Sequence, residues 1–171
     1  MSALGILLAL VLAARLAELA YAARNTRALV ARGGTEVGRN HYAVIVLLHT
    51  LWLLSLLLFV PADAAISWAW LGVFLLLQIL RVWVIVSLGP FWTTRIVTLP
   101  GAPLVRRGPY RFVRHPNYVV VAGEILVLPL VFGAWQIALV FTLLNAAVLA
   151  WRIRVEEQAL APRRALHGSE G

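Results

Sequence analysis

The apolar residues of this chain come in blocks, and most of the blocks are about as long as a bilayer is thick. They are Ala3–Ala23, Tyr42–Val60, Ile66–Ser87, Val119–Phe132 and Trp135–Trp151. A backbone that crosses lipid must satisfy its own N–H and C=O groups, a demand that helices meet within a single segment. The expectation is an all-α integral membrane protein with five transmembrane helices, the last two forming a hairpin across Gly133-Ala134. Composition agrees: 62% of residues are hydrophobic and the mean hydropathy is +0.88, well above an ordinary soluble domain. One membrane domain takes up residues 1–171, with three spans in 1–87, a loop-and-hairpin core in 88–161 and a frayed tail in 162–171. The first block runs too long for a cleavable signal peptide and has no positive charge before Arg15, so it is expected to be retained.

The net charge of +8 is carried by arginine alone, since the sequence contains no lysine. Arginines crowd the loops at 24–40 and 88–116 and the tail after Trp151, whereas the turns at 61–65 and 133–134 carry only Asp63. The positive-inside rule then puts the N-terminus outside and every basic segment, with the C-terminus, in the cytosol. Membrane lipids are the expected partners of this charge, and nucleic acid is not. Without cysteine there is no disulfide, thiol nucleophile or thiolate metal site, and no metal-ligand spacing such as HExxH occurs.

Several polar residues interrupt the spans. Arg15 and Glu18 share a helical face, where they can pair. His49 reads either as a neutral histidine bonded to a neighbouring helix or as a proton relay. Gln78 and Arg81 share a face, and Arg81 either snorkels to the headgroups or lines a cavity. The first hairpin arm has 14 residues, roughly 21 Å against a ~30 Å hydrocarbon core. It is therefore extended by Asn117 and Tyr118 or sheltered by protein, with Glu124 facing inward.

The densest polar stretch is Gly108–Tyr118, GPYRFVRHPNY, at the mouth of the hairpin, and a second charged cluster, Arg152–Leu160, lies at its far end. On the second arm Asn145, Arg152 and Glu156 recur at helical spacing. A tight hairpin returns the end of one arm to the start of the other, so His115–Tyr118 should meet Arg152–Glu157 in a cytosol-facing pocket open to lipid. The competing reading makes the arginines headgroup ligands and leaves Glu156 and Glu157 to pair with Arg152 and Arg154.

The combination of Gly108, Tyr110, Arg114-His115-Pro116-Asn117-Tyr118, a helical hairpin, Arg152 and Glu156-Glu157 resembles the isoprenylcysteine carboxyl methyltransferase family, related to the phospholipid N-methyltransferases. The resemblance implies a membrane methyltransferase that binds S-adenosylmethionine without a Rossmann fold. It implies cofactor contacts from Ala102, Pro103, Leu104, Val105, Tyr110, His115, Pro116, Asn117, Tyr118 and the Glu156-Glu157 pair, and a substrate contact from Arg152. The acceptor would be a lipophilic small molecule entering from the bilayer. An already ionised carboxylate, as on an isoprenylcysteine-like molecule, needs only an orienting cation such as Arg152. A phenol or enol would gain from a base, for which Glu124 and His115 are available.

The short tail and the extra arginines Arg95, Arg106 and Arg107 depart from the family pattern. The lysine-free, Ala/Leu/Arg-rich composition suggests a bacterial source, hence an inner-membrane location. WTTRIVTLPG, Trp92–Gly101, resembles family members that methylate lipid polyketides such as alkylpyrones. Phospholipid N-methylation, a reductase sharing this membrane core and a non-enzymatic lipid-binding protein are the other readings.

Overall fold

A computed structural model describes residues 2–102 and 105–168 of the chain. Five α-helices form the body: α1 (Ala3–Ala31), α2 (Arg39–Phe59), α3 (Trp68–Leu88), α4 (Pro116–Val131) and α5 (Trp135–Gly168). Four of them are long and apolar enough to cross a membrane, and α4 is a shorter apolar helix of 16 residues. Their outer faces carry large apolar side chains such as Leu58, Phe59, Ile79 and Val86, each more than two-thirds exposed, as lipid contact requires.

Several boundaries differ from the sequence expectation. α1 continues eight residues past Ala23, to Ala31, so Arg24 and Arg27 lie on its last turns instead of in a loop. The stretch expected to fray is helical as far as Gly168, and residues 169–171 lie outside the described residues. Two three-residue strands were not anticipated: β1 (Thr35–Val37), between α1 and α2, pairs antiparallel with β2 (Ile96–Thr98), in the long polar segment. The ribbon aligns Glu36 with Val97, and the Thr35 and Thr98 hydroxyls are 3.0 Å apart. The polar segment otherwise holds 3₁₀ turns at Gly89–Phe91 and Gly108–Arg111, as its prolines and glycines predict.

α4 resolves the question of the short hairpin arm in two ways. Pro116 starts it at the first helical position, where a missing N–H is harmless, so Asn117 and Tyr118 do extend the arm. Ten of its sixteen residues are also buried, because α3 and α5 flank it. Gly133, at φ 69°, makes the turn into α5. At that end the Ser67 N–H donates to the Val131 carbonyl at 2.8 Å, tying the start of α3 to the end of α4. The core below joins Leu48, Trp52 and Leu56 of α2 with Phe74 of α3 and Ile125, Leu128 and Val131 of α4.

The intramembrane charges form one network across three helices. Arg81 donates from Nη1 to Glu124 at 2.7 Å and from Nε to Glu18 at 2.9 Å. Arg15 reaches Glu18 at 3.0 Å, Glu124 at 3.5 Å and the Gln78 side-chain oxygen at 3.0 Å, and Gln78 donates to Glu124 at 2.8 Å. Two arginines and two glutamates cancel, which is how charge is tolerated in an apolar surround. Arg81 therefore neither snorkels nor lines the main cavity; it is buried at the centre of this cluster. His49 bonds through Nδ1 to the Ile45 carbonyl of its own helix at 2.8 Å, not to a neighbouring helix.

Candidate functional site

The hairpin returns α5 to the start of α4, and three side chains meet there. The Tyr118 hydroxyl donates to the Glu156 carboxylate and accepts from Arg152 Nε at 2.8 Å. Arg152 Nη2 donates to the Thr94 carbonyl at 2.8 Å, so α5 is also fastened to the polar segment. Arg152 and Glu156 are four residues apart on one helix, and Tyr118 sits on the first turn of the other. The His115 ring stacks on Tyr118 with centroids 5.3 Å apart, and its nitrogens lie 3.7 Å from Glu156 and 3.6 Å from Glu157. Those separations are too long for hydrogen bonds and short enough for charge to matter.

The 3₁₀ turn that carries Tyr110 is seated against the end of α3. Arg107 Nε donates to the Ser87 carbonyl at 2.7 Å. Gly108 adopts φ 57°, and a Cβ there would overlap Ser87 Oγ and stand 2.9 Å from Ser87 Cβ, so only glycine fits. From the other side Asn25 of α1 donates through Nδ2 to the carbonyls of Gly89 at 3.1 Å and Trp92 at 2.9 Å. Burial, and then the nearby Glu156 charge, push the Tyr110 phenol above its ordinary pKa, so it stays protonated.

These elements enclose a cavity of about 480 Å³, within the roughly 300–1,000 Å³ typical of small-molecule sites. Of the residues named from the sequence, Val105, Tyr110, His115, Asn117, Tyr118, Arg152 and Glu156 line it. Pro116 is buried as the first residue of α4, and Ala102 packs with Leu29 and Leu99 beside the cavity wall. The more exposed Glu157 stands beside Arg114 and His115 outside the lining. Pro103 and Leu104 lie outside the described residues. Glu124 does not reach this cavity; it belongs to the Arg15–Glu18–Gln78–Arg81 network and borders a separate cavity of about 40 Å³. Seven residues, about two helical turns, separate it from Asn117, enough to carry it from the pocket into the core.

The remaining wall was not assigned to the site from the sequence, although Arg114 belongs to the motif and Trp92–Gly101 carries the resemblance to polyketide methylators. Leu29 comes from α1, Phe91 to Leu99 come from the polar segment, and Arg106 and Arg114 come from its end. Three polar atoms of lining residues are buried with no hydrogen-bond partner among the described residues: Trp92 Nε1, His115 Nε2 and Asn117 Oδ1. A buried donor or acceptor left unmade is costly. The set as a whole holds one carboxylate, several guanidiniums, aromatic faces and both donors and acceptors. That suits a ligand with an ammonium, a carboxylate, hydroxyls and a flat heterocycle, as S-adenosylmethionine has.

The isoprenylcysteine carboxyl methyltransferase (ICMT) family matches residues 70–162, more than half of the chain. Among curated proteins, "Uncharacterized protein YpbQ" of Bacillus subtilis is 41% identical over 160 residues, which cover 91% of this chain and 95% of that protein. An "Uncharacterized protein" of Haemophilus influenzae is 27% identical over 163 residues, covering 92% and 95%. No solved structure gives a significant match.

Proposed function

Because the chain belongs to the isoprenylcysteine carboxyl methyltransferase family, we propose that it is a membrane methyltransferase that uses S-adenosylmethionine to methylate an oxygen of a lipophilic acceptor. The observation that carries this reading is the Arg152–Tyr118–Glu156 chain on the wall of a cavity that His115 and Asn117 also line. S-adenosylmethionine, when bound, supplies a methyl group activated by a positive sulfonium. The residues of the chain then need only bind, align and exclude water. Glu156, oriented by Tyr118, suits the cofactor's ammonium group. Trp92, Tyr110 and Val105 offer the apolar and aromatic contacts that a base plane favours.

The charge of the wall bears on the acceptor. Arg95, Arg106, Arg114 and Arg152 line the cavity with Glu156, and although Glu36 pairs with Arg95 and Glu157 stands beside Arg114 from outside the lining, an excess of positive charge remains at the wall. A sulfonium adds to that positive field, so an anionic acceptor oxygen is favoured over an amine. The carboxylate of an isoprenylcysteine-like molecule is the first choice: it is ionised at neutral pH and needs no base, and one of the two candidate bases, Glu124, is engaged elsewhere. The enolic hydroxyl of a lipid polyketide such as an alkylpyrone is the second, since an acidic enol is a vinylogous carboxylic acid. It is supported by the position of Trp92–Gly101, the stretch resembling polyketide methylators, which supplies much of the cavity wall. The positive-inside pattern argues for a pocket and C-terminus in the cytosol of a bacterial inner membrane, with the acceptor entering from the bilayer.

The test is transfer of a labelled methyl group to candidate lipids, with the product identified by mass, alongside titration with S-adenosylhomocysteine. Binding that Glu156→Ala abolishes supports the reading. A folded protein that binds neither cofactor nor product excludes it.

A further inference from the structure

The family match begins at residue 70, yet one cavity-lining side chain is held by residues that precede it. Arg95 lines the cavity, and its Nη1 donates to both Glu36 oxygens at 2.9 and 3.0 Å. Its guanidinium also lies over the Tyr42 ring, 5.0 Å from the centroid. Glu36 is in β1 and Tyr42 is in α2, so the β1–β2 ribbon brings the N-terminal half of the chain to bear on one cation of the site. The Glu36 side chain is only 11% exposed, whereas that of Arg95 is 43% exposed. This is a mostly buried anchor holding an accessible head.

We propose that Arg95, positioned by Glu36 and Tyr42, is a second guanidinium that binds the anionic oxygen of the acceptor beside Arg152. The placement supports the acceptor over the cofactor. Arg152 bonds the carbonyl of Thr94, the residue directly before Arg95, whereas the Glu156, His115 and Asn117 groups suited to the cofactor come from α5 and the start of α4. A guanidinium has five N–H donors in a planar fork, and both of the hydrogen bonds from Arg95 to Glu36 leave from Nη1. The Nε and Nη2 side is left for a planar oxyanion such as a carboxylate or an enolate. Glu36 is a positioning residue: its carboxylate sets the angle of the fork and touches no ligand.

This inference rests on the anionic acceptor proposed above, and the experiment separates the two. Equilibrium binding of S-farnesylcysteine, its neutral carboxamide and a long-chain 4-hydroxy-2-pyrone is followed by tryptophan fluorescence, because Trp92 lines the cavity. Arg95→Ala is expected to weaken the anionic probes roughly tenfold or more, the scale of a charge-assisted contact, and to leave the carboxamide unchanged. Glu36→Gln is expected to weaken them roughly two- to fivefold, and to add nothing in the Arg95→Ala background. Arg95→Lys, which keeps the charge and loses the fork, should fall between, and it stands in if the alanine variant fails to fold. Equal losses for the acid and the amide overturn the proposal. So does weakened S-adenosylhomocysteine binding in Arg95→Ala, or the failure of both anionic probes to bind wild-type protein. Loss of S-adenosylhomocysteine binding in the wild type, with anionic probes still bound through Arg95, would count against the methyltransferase reading alone.

Discussion

Tyr118→Phe isolates one hydroxyl at the centre of the site. The ring keeps its stack on His115 at 5.3 Å and its place 5.6 Å from the Arg152 guanidinium carbon, so packing is preserved. Two charge-assisted hydrogen bonds disappear, one to Glu156 and one from Arg152. Each is worth about 1.5–3 kcal/mol net. Arg152 keeps the Thr94 carbonyl, and Arg152 and Glu156, four apart on α5, can recover part of the loss by pairing directly. The net effect is therefore nearer one bond than two, roughly a 10- to 150-fold weakening when converted at 1.4 kcal/mol per decade. Because Glu156 is the group assigned to the cofactor ammonium, the loss should appear in S-adenosylhomocysteine affinity. Calorimetric titration of wild-type and Tyr118→Phe protein in nanodiscs measures it directly. Affinities within twofold of each other would show that the hydroxyl does not orient Glu156, and the assignment of this chain to cofactor binding would fall.

Three other outcomes follow from the same geometry. Glu124→Gln leaves Arg15 and Arg81 with a single carboxylate between them, so it should destabilise the fold by about 3–5 kcal/mol, read as a fall in thermal midpoint in detergent. An unchanged midpoint with a lost turnover rate would instead return Glu124 to the role of general base. Gly108→Ala forces a side chain onto Ser87 at a left-handed backbone position, which should cost about 1–3 kcal/mol and shift Tyr110 away from the cavity, measured by unfolding and by product binding. Burial and Glu156 raise the folded-state pKa of Tyr110 above its unfolded value near 10, so its stabilising effect is complete below about pH 10 and is lost as pH rises beyond it. Thermal midpoints measured from pH 8 to 11 should fall less steeply on that alkaline side in Tyr110→Phe; identical slopes would contradict the assignment.

Much of the site could be read along the chain because a tight hairpin is a simple geometric device. Once Gly133-Ala134 is taken as its turn, His115–Tyr118 and Arg152–Glu157 must approach each other, and Tyr118, Glu156 and Arg152 do share a hydrogen-bonded chain. The rest of the wall had no comparable signal. β1 and β2 are three residues long, too short for alternation to register, and their pairing joins segments some 60 residues apart. Periodicity therefore could not place Trp92 and Arg95 at a cavity, and only the resemblance of Trp92–Gly101 pointed to a role for that stretch. Glu124 was read as facing inward, but an inward direction does not give depth, and two turns of rise from Asn117 carry it into the core.

The sequence by itself determined the five helices and where their apolar stretches lie, because lipid admits few ways of satisfying a backbone and apolar blocks of that length are hard to mistake. It also determined the hairpin and the motif residues that meet across it. Tertiary structure alone decided which charges neutralise one another and which face the cavity. Arg15, Glu18, Gln78, Arg81 and Glu124 become one balanced cluster, and Arg95 turns to the site on its Glu36 anchor. The physical reason is range: helix periodicity is local and legible along the chain, whereas the partner of a charge depends on how separate helices are rotated and stacked against each other.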